Sequence, residues 1–342
     1  MKTATPALAR AINDRLALDL LLEHGPLTAP QLRTLTGLSR PTVSDLIERL
    51  MEAGLIEVTG EYGEDRRGPN ARLYGLVADR AHVAGVDLRR DAVNVTVADI
   101  TGRVVCEAAA TLGGAARTDL AGLIVSVVRD AAGERALDTV VVGAPGLVNP
   151  RDGELVSSND VPGWRRGMMA SVRERLGAPV ILENEVNLAA IAESRTGAAA
   201  GSEDFVLLWL DDGVGAAVVL GGRLRRGASG GAGEIGFLEV GGVAFCEQVD
   251  PEVRARLDRD ELARRIARGA FAFATLLDPG LVVLGGTTGH AGGAELAERV
   301  AGHLRALGPA PTEVRASTVT GNAILQGAVL TALDLARDHI FG

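Results

Sequence analysis

Residues 82–105, HVAGVDLRRDAVNVTVADITGRVV, alternate apolar and polar side chains over 82–86 and again over 92–98. Period-two alternation on both sides of a short polar segment predicts two strands joined by a tight turn, Asp87-Leu88-Arg89-Arg90-Asp91. No glycine relieves this turn, so Cβ-bearing side chains crowd any close approach to its backbone.

Downstream of the hairpin, strand-like and glycine-rich segments alternate. VVVGAPGLVNP (140–150) reads as a buried strand running into a turn, and APVILENEVNLAAIAESR (178–195) as a strand entering a helix. FVLLWLDDGVGAAVVLGGRL (205–224) is a second hairpin, followed by GASGGAGEIGFLEV (227–240) and DPGLVVLGGTTGH (278–290). Two hairpin-led halves predict two α/β lobes around a cleft.

Upstream, residues 12–57 carry three helical patterns in quick succession. The first covers about 12–24, with Ile12, Leu16 and Leu20 on one stripe, and stops at Gly25-Pro26. Thr28 and Gln31 have capping-box spacing for a short second helix that ends at Gly37. Ser39 caps a third, with Pro41 in its first turn and Val43, Leu46, Ile47 and Leu50 as the apolar stripe. Short helix, glycine turn and amphipathic helix form a helix-turn-helix, whose second helix would present Ser39, Arg40, Thr42, Ser44 and Asp45 to a major groove. Residues 55–58 and 71–74 then read as wing strands, and Arg66 and Arg67 between them can reach phosphates or a minor groove. The helices alone fit a small oligomerisation module equally well; the ordered set of turn glycine, capped helix and arginine-bearing wing favours DNA. Residues 1–78 hold nine Lys/Arg and ten Asp/Glu. Binding would therefore depend on a few placed arginines and on dimerisation.

The 342 residues, 47% of them apolar, suffice for two or three domains. A net charge of -9 argues against indiscriminate nucleic-acid binding by the whole surface. No apolar run approaches the ~18 residues of a membrane span, and Asp14, Arg15 and Asp19 interrupt the N-terminal stretch, so a cytoplasmic location and no membrane partner are expected. Cys106 and Cys246 are too far apart in sequence for a disulfide framework or a CxxC metal motif and read as reduced thiols.

GAPG at 143–146, Pro162-Gly163-Trp164, ENEVN at 183–187, AGEIG at 232–236 and DPGLVVLGG at 278–286 stand in the order and at the spacing of the ROK family of repressors and sugar kinases. The chain resembles a ROK transcriptional regulator over nearly its whole length. That resemblance implies an α/β fold with an N-terminal winged helix-turn-helix (1–78) followed by a two-lobed actin-like domain of the sugar kinase/RNase H-like type. The first lobe would take 79–198, completed by a C-terminal helix at 322–342, and the second 199–321. It also implies a cleft for a monosaccharide, contacted by Asn184, Glu185 and Glu234, with Asn159, Gly146 and Glu247 as weaker candidates. Carboxylates and amides suit adjacent hydroxyls as acceptors and donors. Taken singly, Glu234 reads more readily as a helix-capping or salt-bridged surface acid and Asn184 as a turn residue; within the ordered set of motifs the sugar-contacting reading prevails.

Four positions depart from the kinase members of that family. Asp87-Leu88-Arg89-Arg90-Asp91 replaces a glycine-rich phosphate turn, which makes Arg89 and Arg90 a solvated hairpin tip. Asp211 and Asp212 place carboxylates where a polyphosphate would lie. Glu185 stands one methylene longer than the aspartate that acts as base toward the sugar hydroxyl. Phe237 replaces a zinc-binding histidine and Cys246 is the lone nearby thiol, so neither zinc nor any cofactor is expected. The expectation is therefore a sugar-responsive repressor, a homodimer or dimer of dimers on operator DNA, that does not phosphorylate its effector. A sugar kinase with an appended DNA-binding domain and a ligand-independent regulator are the alternatives.

Overall fold

The structure, a computed structural model, describes residues 6–62, 71–113, 119–157 and 161–342. The chain opens with α1 (Pro6–His24), β1 (Leu27–Thr28), α2 (Ala29–Thr36), α3 (Arg40–Glu52), β2 (Ile56–Tyr62) and β3 (Ala71–Leu76). β3 lies between β1 and β2 in a three-stranded antiparallel sheet. The capping box at Thr28 forms, since Gln31 Oε1 accepts the Thr28 backbone N–H at 2.8 Å and the Thr28 hydroxyl accepts from Gln31 N. Gly37 closes α2 in the left-handed conformation at φ 71°, and Ser39 caps α3. Val43, Leu46, Ile47 and Leu50 are buried, as their spacing requires. The apolar stripe expected on the first helix is corrected: α1 starts six residues earlier, and its buried side chains are Ala17, Leu18 and Leu21, whereas Ile12 is 56% and Leu16 40% exposed. Residues 7–12 of α1 are exposed. Arg66 and Arg67 lie outside the described residues.

The hairpin at the centre of the sequence is β4 (His82–Leu88) and β5 (Ala92–Asp99), followed by β6 (Val104–Thr111), α4 (Leu120–Ala132), β7 (Leu137–Ala144), β8 (Leu147–Val148), β9 (Leu155–Ser157), α5 (Met168–Leu176), β10 (Val180–Asn184) and α6 (Glu185–Thr196). The strand order is β10-β7-β4-β5-β6, with β7 parallel to both β4 and β10 and the hairpin strands antiparallel. A second unit follows: β11 (Phe205–Leu210), β12 (Val214–Leu220), β13 (Arg223–Leu224), β14 (Glu239–Val240), β15 (Val243–Ala244), α7 (Phe245–Gln248), α8 (Pro251–Arg254), α9 (Arg259–Leu277), β16 (Leu281–Gly285), α10 (Gly286–Leu307) and β17 (Glu313–Ala316). Its sheet, β17-β16-β11-β12-β13, repeats the topology of the first, strand for strand. The repeat is legible in the two hairpins, since each begins its half.

α11 (Ala323–Phe341) ends the chain and returns to the first sheet, across β4 and β7 and beside α6. A Cβ at Gly327 would stand 1.9 Å from the Leu188 carbonyl oxygen, so only glycine permits this crossing of α11 over α6. α6 also touches β11 and β12 and so lies between the two sheets, with its first residue at the cleft. Among the described residues no helix is long and apolar enough to cross a membrane.

Candidate functional site

The β4–β5 turn reaches into the space between the lobes. β4 continues through Leu88, so Asp87 belongs to a strand and its side chain is fully buried. A carboxylate buried there needs donors and an opposite charge. Arg89 Nε donates to Asp87 Oδ2 at 2.9 Å, and Asn322 Nδ2, from the N-cap of α11, donates to the same oxygen at 2.6 Å. Arg89 Nη1 extends to Asp211 Oδ2 of the opposite lobe at 3.5 Å, while Thr287 Oγ1 donates to Asp211 Oδ1 at 2.9 Å. The solvated-tip expectation is thus corrected for Arg89, which is half-buried and bridges the lobes; Arg90 and Asp91 are exposed. Asp211 is 122 residues from Arg89 in sequence, which is why no local pattern revealed the bridge. A cavity of about 360 Å³ adjoins it, lined by Arg89, Trp209, Asp211, His290 and Asn322.

Glu185 begins α6 beside this cluster. Burial pushes its carboxyl up, Arg89 pulls it down, and Asp87 and Asp211 push it up again, leaving it at about 7. Asn184 is the N-cap of α6: its Oδ1 accepts from Val186 N at 2.8 Å and Asn187 N at 3.1 Å, and its Nδ2 donates to Gly146 O at 2.8 Å. One amide therefore holds the α6 start against the GAPG turn. The adjoining acid, Glu183, is buried, accepts from Asn187 Nδ2 at 2.9 Å and pairs with Arg226 of the second lobe at 2.6 Å.

Glu234 reaches the same region along backbone. Ala216 N donates to Gly233 O at 2.8 Å, and a Cβ at Gly230 would fall 1.9 Å from Val148 O, so segment 230–233 is wedged between β12 and β8. On the other side of β12, Gly215 faces Val186. Gly146, Asn184 and Glu185 are thereby held together, and β12, which faces Val186, carries the backbone bond to the segment that leads into Glu234. Glu234 makes no side-chain cap hydrogen bond, and burial alone raises its titration. Glu247 lies on the exposed face of α7; among the described residues no hydrogen bond or ion pair joins it to the other three. Asn159 lies outside the described residues, and Phe237 is 80% exposed.

On the winged helix, Ser39, Arg40, Ser44 and Asp45 are exposed and Thr42 half-buried. Ser39 and Thr42 join their hydroxyls at 2.8 Å across the first turn of α3. A groove of about 610 Å³ runs between α2, α3 and β3, and Arg33 and Arg72 line it together with Arg40 and Ser44. Sequence reasoning missed Arg33 and Arg72. The alternation in β3, which puts Arg72 and Tyr74 on one face, was the available signal.

Residues 83–249 match the ROK family model and residues 12–68 a MarR family model. The chain carries a ROK domain behind a MarR-like winged helix. A xylose repressor from Caldicellulosiruptor bescii is 25% identical over 240 residues, 68% of this chain and 60% of that protein, so the chain spans only about 60% of that relative's length. The crystal structure of a ROK family transcriptional regulator, a homologue of the E. coli MLC protein, superposes with a TM-score of 0.76 at 16% identity, covering 97% of this chain and 99% of that one. A ROK family glucokinase from Streptomyces griseus, solved with glucose and AMPPNP, gives a TM-score of 0.62 at 23% identity over 75% of this chain and all of its own. Both likenesses establish the fold of the ROK domain, and the regulator, matched over 97% of this chain, that of the winged helix as well. The glucokinase matches three quarters of this chain, the share left once the winged helix is set aside.

Proposed function

We propose that the chain is a DNA-binding transcriptional repressor whose ROK domain binds a monosaccharide between its lobes without phosphorylating it. The observation that carries the second half is Arg89. A tethered guanidinium, paired to an aspartate on each side of the cleft, occupies the turn from which a phosphate-binding backbone would have to act, and it comes with two carboxylates that repel a polyphosphate. Gly146, Asn184, Glu185 and Glu234 would hold the sugar hydroxyls, with Asn159 and Glu247 as weaker candidates. The winged helix would read operator half-sites through α3, with Arg33, Arg40 and Arg72 meeting phosphates and Arg66 and Arg67 extending the contact, in a dimer that places two such helices about one helical turn apart. The working units of this reading are 1–78, 79–198 with 322–342, and 199–321, in the cytoplasm.

An effector gains control only through different affinity for two arrangements of the lobes. α11 is suited to carry the difference: its N-cap Asn322 is bonded to Asp87, and near its other end Asp338 pairs with Arg15 of α1 at 2.9 Å. Gel shifts on DNA flanking the chain's own gene, with and without a panel of monosaccharides, test the reading. Absence of specific retardation at moderate salt sinks the DNA-binding half; retardation that no sugar alters sinks the sensor half.

A second reading, an active sugar kinase with an appended DNA-binding domain, draws on Glu185. A carboxyl that titrates at about 7 is well matched to general-base work at neutral pH. Hexose-dependent ATP turnover, abolished in Glu185→Gln, would select it.

A further inference from the structure

A larger cavity, about 780 Å³, lies where the winged helix meets the first lobe. Its floor is α11, which presents Leu325, Val329, Leu330 and Leu333. One lip is the C-terminal half of α1, with Glu23; the other is β6, with Glu107. Gly321 and Asn322 separate it from the interlobe cavity, and both line each of the two.

Its size falls within the roughly 300–1,000 Å³ of ligand pockets, and its make-up, an apolar floor with a few polar groups at the edge, is theirs too. Its charged side chains are three carboxylates, Asp19, Glu23 and Glu107, against one cation, Arg337. Arg337, the cation in the wall, donates through Nε and Nη2 to the Ile100 carbonyl at 3.1 and 2.9 Å. Arg15 on α1 is taken up by Asp19, Asp338 and the Phe341 ring. Among the described residues, the Glu23 carboxylate has only His24, at 3.9 Å, and the Glu107 carboxylate only the Thr96 hydroxyl, at 3.1 Å. An occupant that matches this distribution has an apolar body on α11 and a positive charge at the lips.

We infer that this cavity is a second ligand site, for a small amphipathic amine, separate from the cleft around Glu185. Such a ligand touches α1 and α11 together and so binds across the joint between the DNA-reading unit and the effector lobes. The inference stands whether or not the cleft takes a sugar.

Titration of the full chain with dansylcadaverine, a fluorescent aromatic sulfonamide bearing a primary ammonium, tests it. Saturable binding with a blue-shifted emission is expected, and the N-acetylated probe, with the same body and no charge, should bind roughly tenfold more weakly for want of a charge-assisted hydrogen bond. Leu330→Trp fills the floor and should abolish binding. Glu107→Gln, an exposed change that leaves folding intact, should weaken the amine and leave the acetylated probe unaffected. Equal affinity for both probes, unchanged binding in Leu330→Trp, absence of saturation, or displacement by excess monosaccharide would each overturn the assignment.

Discussion

Glu185→Gln removes a carboxyl whose titration the fold moves to about 7. In the unfolded chain the same group ionises at its ordinary 4.5. Below pH 4.5 both states hold the proton and Glu185 has no effect on stability. Between 4.5 and 7 the unfolded state loses the proton first, so stability falls as pH rises, and above 7 the whole penalty remains. The interval corresponds to about 3 kcal/mol, an upper bound because Glu185 is partly exposed and because glutamine gives up the attraction to Arg89. Glutamine should therefore be close to neutral at pH 4.5 and stabilise the ROK domain by about 1–3 kcal/mol at pH 8. Urea unfolding followed by tryptophan fluorescence is the assay, since Trp209 lies beside Asp211 in the interlobe cavity. At a slope of about 3 kcal/mol per molar urea the midpoint should rise by about 0.3–1 M at pH 8 and hardly at all at pH 4.5. A shift of equal size at both pH values would mean that the substitution acts through packing, and a destabilisation that grows with pH would reverse the sign; either result refutes the electrostatic account of the cleft.

Arg89→Ala leaves the buried Asp87 carboxylate with Asn322 as its remaining donor and should cost about 3 kcal/mol, a loss that the double variant with Asp87→Asn partly recovers in a thermodynamic cycle. Gly327→Ala drives a methyl into the Leu188 carbonyl and should lower stability by about 1–3 kcal/mol or more, read as a drop in Tm, whereas Gly302→Ala, in open space on α10, should not. Arg72→Ala should weaken DNA binding to a similar extent on all sequences and reduce the slope of log affinity against log salt by about one, whereas a loss confined to one sequence would make Arg72 a base reader.

The elements whose signals are local were legible from residues alone. Thr28 with Gln31, Gly37 and Ser39 fix the ends of α2 and α3 because each cap is satisfied within three or four residues. The doubled hairpin announces the doubled lobe for the same reason. What stayed hidden depends on partners distant in sequence. Asp87 stands next to the charged run Arg89-Arg90-Asp91, so the buried carboxylate looked like part of a turn, and the bridge from Arg89 to Asp211 has no sequence signature. The exposed Ile12 and Leu16 illustrate the converse: an apolar stripe gives periodicity, but the length of helix that finds a packing partner is set by tertiary structure.

The most direct test of the account is the affinity of the full chain for labelled DNA from the region flanking its own gene, measured by fluorescence anisotropy with and without each monosaccharide and with ATP present throughout. The account predicts specific binding that one sugar shifts by about 5-fold to 150-fold, the usual range of an allosteric coupling, with ATP unconsumed. Specific binding that no sugar changes, or sugar-dependent loss of ATP, would contradict it.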